Sequence, residues 1–315
     1  MNNIFAPARK TAARGSIILR ARMKSGIRKF LKRASLTAAF SVAAVGSYSY
    51  AIEPNNLKTA AYDIQSPKWP QEMPPLNVAM AADFHVGAPN VTVSKLEKIV
   101  QRINDLKPDI IVLPGDFLTM TGHDVVIGGK YVPPDEVAAV LKNLKAPLGV
   151  YAVLGNHDVY NDPNGMQRAL ENAGIRVLEN DAAHVQSADY NFWVAGLADD
   201  TSRKPDWKKT SEKITDNAPV ILIMHDPGAF MDKNERPVVS LAAHTHGGQF
   251  LPFLVKFFDN PVTRAPNKYM YGHITEDGRE LIVTSGIGTS VVPLRLGARP
   301  EIVKIKIHSP GKPSA

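Results

Sequence analysis

Two histidines one residue apart, His244 and His246, end the apolar run in LAAHTHGGQF (residues 241–250) and stand directly before two glycines. Imidazole nitrogens so spaced can grip a metal ion, although a lone His-x-His is more often a pair of ordinary surface or core groups. Partners elsewhere in the chain decide the matter. Asp83 and His85, in DFH, have the same i, i+2 relation. On an extended backbone that relation turns both side chains to one side, where an oxygen and a nitrogen can share one ion. Asp116 in a Gly-Asp pair, Asn156 and His157 in GNHD (155–158) and His225 add carboxylate, amide and imidazole donors. The chain has no cysteine, which excludes disulfides and thiolate metal sites and leaves the redox compartment open. Carboxylate, amide and imidazole donors together suit Mn, Fe or Zn better than Ca or Cu(I), without selecting among the three.

Such donors need a frame. Apolar runs of strand length occupy 76–85, 109–117, 149–158, 192–200, 219–227, 238–246, 281–288 and 301–308, alternating with segments of helical period. Near-continuous apolar strands are buried on both faces, which predicts a layered α/β fold, a sandwich of mixed sheets with helices on its outer faces. A helix is expected after the first run, opened by Ser94 and Glu97 as a capping box, with Leu96, Ile99, Val100, Ile103 and Leu106 on one side. Residues 133–145 and 164–174 read as two more. Five strand runs end in metal-capable residues, and in open α/β sheets the site lies beyond the carboxyl ends of the strands. Positions far apart in sequence are therefore expected to converge.

In order, the blocks DFH, GD, GNHD, MH and AHTH resemble the calcineurin-like metallophosphoesterases over roughly residues 76 to 308. Ala243 stands where that family usually has Gly, which puts the local backbone angle in question. The resemblance implies two divalent metal ions: Asp83, His85 and His246 around the first, Asn156, His225 and His244 around the second, and Asp116 bridging both. It also implies a phosphoester substrate. Two cations about 3.5 to 4 Å apart acidify a bridging water, neutralise phosphoryl oxygens and align an in-line attack. His157 is the expected proton donor to the leaving oxygen, and Asp158 the expected partner that fixes its tautomer, with a helix N-cap as the plainer use of Asp158. Gly247 and Gly248 are expected to let the backbone turn and pass close to the site. His123, His184, His273 and His308 read as surface or structural groups and Asp199 and Asp200 as an ordinary turn; Arg264 and Arg295 could contact a substrate phosphate, though nothing in their spacing distinguishes them from solvated charges.

The net charge of +7 belongs to the leader: residues 1–34 carry ten Lys and Arg and no acid, leaving 27 basic and 30 acidic residues, a formal charge of −3, for the rest. No nucleic-acid surface is expected on the main domain. The basic stretch precedes a small, apolar run at 36–51 that ends in Ser49-Tyr50-Ala51, a small-x-small cleavage pattern, with Tyr48 and Tyr50 suited to a membrane interface. The run is about 16 residues, short of the roughly 20 needed to span a bilayer. It reads as a cleaved signal, with an uncleaved anchor as the alternative. Either places the main domain across the membrane from the cytoplasm, exported or membrane-associated, with the cytoplasmic face of the membrane as the alternative. GIRKFLK (26–32) resembles a twin-arginine motif with Ile27 in place of the first arginine, which leaves the export route open, and Met23 is an alternative start.

Four segments follow: a leader at 1–51 with signal peptide or anchor, a Pro-rich connection with a first strand at 52–75, the phosphoesterase domain at 76–308, and a tail at 309–315. FLPFLVKFF (250–258) is either a core segment or an apolar lip where an acyl chain or bilayer could rest. Relatives with a hydrophobic N-terminus and the HTHGGQ ending include membrane-associated phosphodiesterases, some acting on UDP-diacylglucosamine in lipid A synthesis. That substrate is cytoplasmic, which conflicts with export, so the expectation is a phosphodiesterase whose substrate is lipid-linked only as an option. The alternatives are a phosphomonoesterase acting on proteins and a non-catalytic scaffold, the latter disfavoured by the complete set of seven ligands and His157. Oligomeric state stays open.

Overall fold

The computed structural model describes residues 8–119, 126–255 and 262–311. Two compact units result, Met1–Tyr48 and Ser49–Ala315. The first is dominated by one helix, α1 (Ala8–Ser47). Among the described residues, one helical stretch of 30 residues, Gly26–Asn55, is long enough to cross a membrane and contains an 18-residue window with a mean hydropathy of 1.2. The sequence count of about 16 stopped at the basic cluster. Helix continues through that cluster, and long basic side chains can send their charges outward while their stems stay on apolar surroundings.

The second unit is built on two six-stranded sheets. One contains β1 (Lys58–Gln65), β2 (Leu76–Met80), β3 (Ile110–Pro114), β4 (Val150–Val153), β5 (Arg176–Val177) and β12 (Glu301–His308). Their spatial order is β1-β12-β2-β3-β4-β5. The other contains β6 (Asp181–Gln186), β7 (Asn191–Gly196), β8 (Val220–Ile223), β9 (Val239–Ala242), β10 (Gly272–Glu276) and β11 (Arg279–Val283), in the order β10-β11-β9-β8-β7-β6. Pairing is parallel through β2-β3-β4-β5 and β11-β9-β8-β7, and antiparallel where β12 meets β2, β10 meets β11 and β6 meets β7. The result is the expected mixed α/β sandwich, and β1 carries it upstream of residue 76.

Alternation of side chains across each strand distributes the core. Val78 and Met80 face the space between the sheets with Ile110, Val112, Ile221, Ile223, Val239 and Leu241. Their neighbours Ala79, Ile111 and Leu113 face outward against α2 (Val93–Asp105), through Leu96, Ile99 and Ile103. Thr92 caps α2, its hydroxyl accepting the Lys95 N–H at 3.2 Å. The cap therefore lies two residues before the expected Ser94, which sits inside the first turn. Helices α3 (Pro134–Leu141), α4 (Asn156–Asn161) and α5 (Pro163–Asn172) follow β3 and β4; α3 lies within its expected window, α5 begins one residue before its own, and α4 is an extra turn. The loops after β2, β3, β4, β8 and β9 gather at one edge, where residues from all five come into contact.

Candidate metal centre

At that edge the strands stop early and the ligand candidates leave regular geometry. Asp83, His85, Asp116, His244 and His246 have φ of 50°, 46°, 57°, 70° and 51°. Left-handed backbone is uncommon for residues with a Cβ and clusters at functional sites. The i, i+2 pairs thus converge through alternating left-handed residues, correcting the extended arrangement expected from sequence. Cross-loop bonds hold these conformations. The N–H groups of Asp83 and His85 donate to the carbonyls of Gly115 and Asp116, both at 3.0 Å. The His244 N–H reaches both Asp83 carboxylate oxygens at 3.2 Å. Packing is tight enough to demand glycine: a Cβ on Gly155 would lie 2.2 Å from Asp116 Oδ1, and one on Gly286, at φ +66°, 2.4 Å from Asp83 Oδ2. Gly247 is left-handed at φ 60° and turns against Ser285. Ala243 has no positive φ, so alanine fits there without strain.

All seven ligand candidates meet in this one place. Asp83, His85 and His246 form one group and Asp116, His225 and His244 another, each with its ligand atoms within 4.8 Å of one another. His85 Nε2 lies 3.0 Å from His246 Nε2 and 3.5 Å from Asp116 Oδ2. The same Asp116 Oδ2 lies 3.3 Å from His225 Nε2, which is 3.2 Å from both Asn156 Oδ1 and His244 Nδ1. Asp116 spends its other oxygen on the His157 N–H at 2.9 Å, so one oxygen is left between the two groups.

The proton positions show what this donor set fits. His225 Nδ1 faces the Pro114 carbonyl at 2.6 Å and His244 Nε2 the Val262 carbonyl at 2.8 Å. A carbonyl only accepts, so those nitrogens carry the protons. The inward nitrogens, His225 Nε2 and His244 Nδ1, then offer lone pairs to each other, to Asn156 Oδ1 and to Asp116 Oδ2. While both imidazoles are neutral, these four acceptors have no donor among them and call for a cation. Burial alone would lower the His225 pKa; the Asp116 carboxylate outweighs it and pushes that pKa well above the ordinary range, so a proton serves when no metal does. Burial, reinforced by His157, lowers His85 to about 3 and, reinforced by His85, holds His246 well below the usual value, keeping both as neutral, ligating imidazoles. Burial raises Asp83 to about 6. For Asp116, burial is outweighed by the surrounding imidazoles, which hold its pKa well below the carboxylate range. The two groups of His and Asp are positioned to chelate divalent ions as a binuclear centre.

His157 lies beside this centre, its ring edge-on to His85 with centroids 4.5 Å apart and its Nε2 3.3 Å from Ser290 Oγ. It helps line a cleft of about 510 Å³ that reaches Asp116, Asn156, His244 and His246. Asp158 departs from its expected role. Its carboxylate accepts four backbone N–H groups, from Asp116, Phe117, Leu118 and Gly155, at 2.8 to 3.1 Å. It ties the loop after β3 to the start of α4, close to the helix-cap use weighed above, and burial raises its pKa to about 7 against those donors. Gln249 steadies Ser290, accepting its N–H at 2.8 Å and donating to its carbonyl at 2.9 Å.

Neither Ser290 nor Gln249 was singled out from sequence, and Arg295 was misread: it is fully buried rather than solvated. A charge between Leu294 and Leu296 was the available signal. Arg264 pairs at the surface with Asp200 and Asp232. Asp199 makes the expected turn, its Oδ2 accepting the Ser202 N–H at 2.7 Å. His184, His273 and His308 are hydrogen-bonded to Asn191, Glu280 and Asp63. His123 lies outside the described residues.

With this geometry in place, comparison with known proteins gives the class. Residues 76–273 match the model of the calcineurin-like phosphoesterases. The chain is 30% identical to the uncharacterized metallophosphoesterase YkuE of Bacillus subtilis over 297 residues, covering 91% of this chain and 99% of that protein. It is 29% identical to an uncharacterized metallophosphoesterase of Aquifex aeolicus, covering 86% and 99%. A transmembrane protein with metallophosphoesterase domain from Danio rerio is 31% identical over 79% of this chain, which spans 56% of that relative. The chain belongs to the calcineurin-like metallophosphoesterase family, whose activity is metal-dependent phosphoester hydrolysis.

Proposed function

We propose that this protein is a phosphodiesterase that works with two divalent cations held by Asp83, His85 and His246 on one side, Asn156, His225 and His244 on the other, and Asp116 between. The convergence of His85 Nε2 and His225 Nε2 on Asp116 Oδ2, with Asn156 Oδ1 and His244 Nδ1 close behind and only a proton on His225 to reconcile them in the absence of metal, carries this reading. The chemistry such ions supply when bound is Lewis-acid: neutralisation of phosphoryl oxygens and acidification of water. The chain supplies the rest. Asp116 Oδ2, within reach of both ligand groups, would be the oxygen the two ions share, and the left-handed loops hold the ligands in place. His157, on the cleft wall, gives its Nε2 proton to the departing alkoxide, with Ser290 Oγ orienting that nitrogen.

A diester is favoured over a monoester by charge. No Lys or Arg is among the described residues lining the cleft itself, which suits the single charge of a diester better than the double charge of a monoester. Tyr160, Val262 and Val291 line the same cleft and are half exposed, and Phe250 and Phe253 are exposed nearby in sequence, which supports an apolar lip over a core segment. Residues 256–258 of that segment lie outside the described residues. A recess of about 390 Å³ beyond Gly247 shares Met270 with the cleft; Pro252, Phe253 and Tyr271 give it an apolar wall and Lys58 and Arg299 a cationic one, room for an ester arm of mixed character.

The N-terminal helix is compatible with a signal or anchor and supports membrane association. An uncleaved anchor with an extracytoplasmic domain is the reading we adopt. Ser49 is buried and its carbonyl accepts the Arg295 N–H at 2.9 Å, while Glu53 accepts the Ala298 N–H at 2.9 Å. Cleavage after Ala51 would strip Ser49 from the folded unit.

The protein, stripped with chelator and reloaded with Mn, is to be assayed on paired aryl phosphodiesters and monoesters. Diester preference is expected, and monoester preference would replace the assignment. His157→Ala is expected to keep its metals and lose about 10²–10⁴ in turnover; an unchanged rate would remove His157 from the mechanism.

A further inference from the structure

The two halves of the centre differ in what stands behind their histidines. His225 and His244 each donate their outer N–H to a backbone carbonyl, Pro114 at 2.6 Å and Val262 at 2.8 Å. Acceptors so placed fix the ring, set the tautomer and make the inner nitrogen more basic, and their loss typically costs about 10- to 100-fold in metal affinity. His85 and His246 lack this support. His85 Nδ1 is buried with no hydrogen-bond partner among the described residues. Behind His246 stands a donor instead: Arg295 Nη2 lies 3.3 Å from His246 Nδ1.

Arg295 is fully buried and makes its other hydrogen bonds to the carbonyls of Gly288, Ala298 and Ser285, at 2.6 to 3.0 Å. No described carboxylate lies within ion-pair distance of it; Asp83, Glu301 and Glu53 offset its buried charge only from further off. A guanidinium cannot accept a hydrogen bond and keeps its charge. When His246 binds through Nε2, its outer nitrogen must either present an N–H to an N–H or surrender that proton. The extra carboxylate on this side, Asp83, would by itself make it the stronger half, and the Arg295 charge offsets it.

We propose that Arg295 is a positioning residue that makes the centre asymmetric: the Asp83/His85/His246 half holds its cation loosely, and the Asn156/His225/His244 half holds its cation tightly. Occupancy of the loose half then follows the free metal concentration, and the enzyme is switched between one-ion and two-ion forms within the range of that affinity. This rests on the metal reading of the site and not on the substrate class.

The test is Mn(II) binding to the chelator-treated full chain, read by calorimetry and by the EPR signal of free Mn(II), with no substrate present. Two classes of site at least about tenfold apart are expected. His246→Ala should remove the weaker class and leave the tight one, and His244→Ala the reverse. Arg295→Met should tighten the weak class, an effect that structural damage would not produce, while Arg295→Lys, which keeps the charge, should preserve the gap. Two equal sites in the unaltered chain, or loss of the tight class in His246→Ala, would overturn the proposal even if Arg295→Met fails to fold. Absence of any Mn(II) binding would overturn it together with the metal reading, whereas tight-and-weak binding with no diesterase activity would overturn only the proposed function.

Discussion

Two residues, Ala81 and Ala82, separate two different kinds of structure at the end of β2. Val78 and Met80 lie in regular, apolar β-strand between the sheets, while Asp83 and His85 just beyond them are polar, equally buried and left-handed. The same contrast recurs after β3 and β9, where Leu113 precedes Asp116 and Leu241 precedes His244. The interior supplies stability and the edge consumes some of it. Strained backbone and buried charge persist where the surroundings over-determine them, and here the pairing of two sheets does so.

Substitutions at the edge and in the interior should therefore have opposite signatures. The largest effect is expected from Asp116→Ala, which removes the oxygen shared by both halves. Turnover should fall below detection and Mn binding should weaken at both halves while the fold survives; intact binding at either half would break the picture of a shared ligand. Gly286→Ala should come next, because its Cβ would meet Asp83 Oδ2 at 2.4 Å from a left-handed position. Loss of metal at the Asp83 half is expected from a folded protein, and normal occupancy there would show that the edge is looser than described.

In the interior the signs reverse. Ile99→Ala leaves a cavity between α2 and the sheet and should cost about 2–5 kcal/mol in denaturant unfolding, with Mn bound per folded molecule unchanged. Metal-free Asp83→Asn sharpens the contrast further. Burial raises the Asp83 pKa to about 6, so the ionised carboxylate destabilises the folded state above that pH and the penalty fades as pH falls toward about 4, the ordinary carboxylate value. The variant, which keeps an acceptor for the His244 N–H, should melt higher than the parent at pH 7.5 in chelator and lose that advantage near pH 4. No advantage at pH 7.5 would mean the edge stores no such strain. Thr92→Ala should be the mildest, about 1 kcal/mol from the lost cap of α2, with no change in metal binding.

The same contrast governs what the sequence disclosed. Central strands were legible because burial on both faces makes them near-continuous apolar runs, as in Ile110–Pro114 and Val220–Ile223. Edge strands were not. β6 and β10 lie at the sheet margins with alternating or partial exposure, and β5 has two residues, so none leaves an apolar run to read. At the site, the identities of the seven ligand candidates were legible because their types and order are unusual together. Their backbone was not, since left-handed Asp and His residues leave no mark that distinguishes them from extended ones. Ser290, Gln249 and Arg295 act through contacts with distant loops, and no spacing rule announces such contacts. The use of Asp158 depended on which way its carboxylate turned, which only the fold decides.

The central claim is tested most directly by diffraction from crystals saturated with Mn(II), using the anomalous signal to locate the ions. Two peaks are expected, one within reach of Asp83, His85 and His246 and the other of Asn156, His225 and His244, with Asp116 touching both. A single peak at saturation, or peaks away from Asp116, would contradict the account.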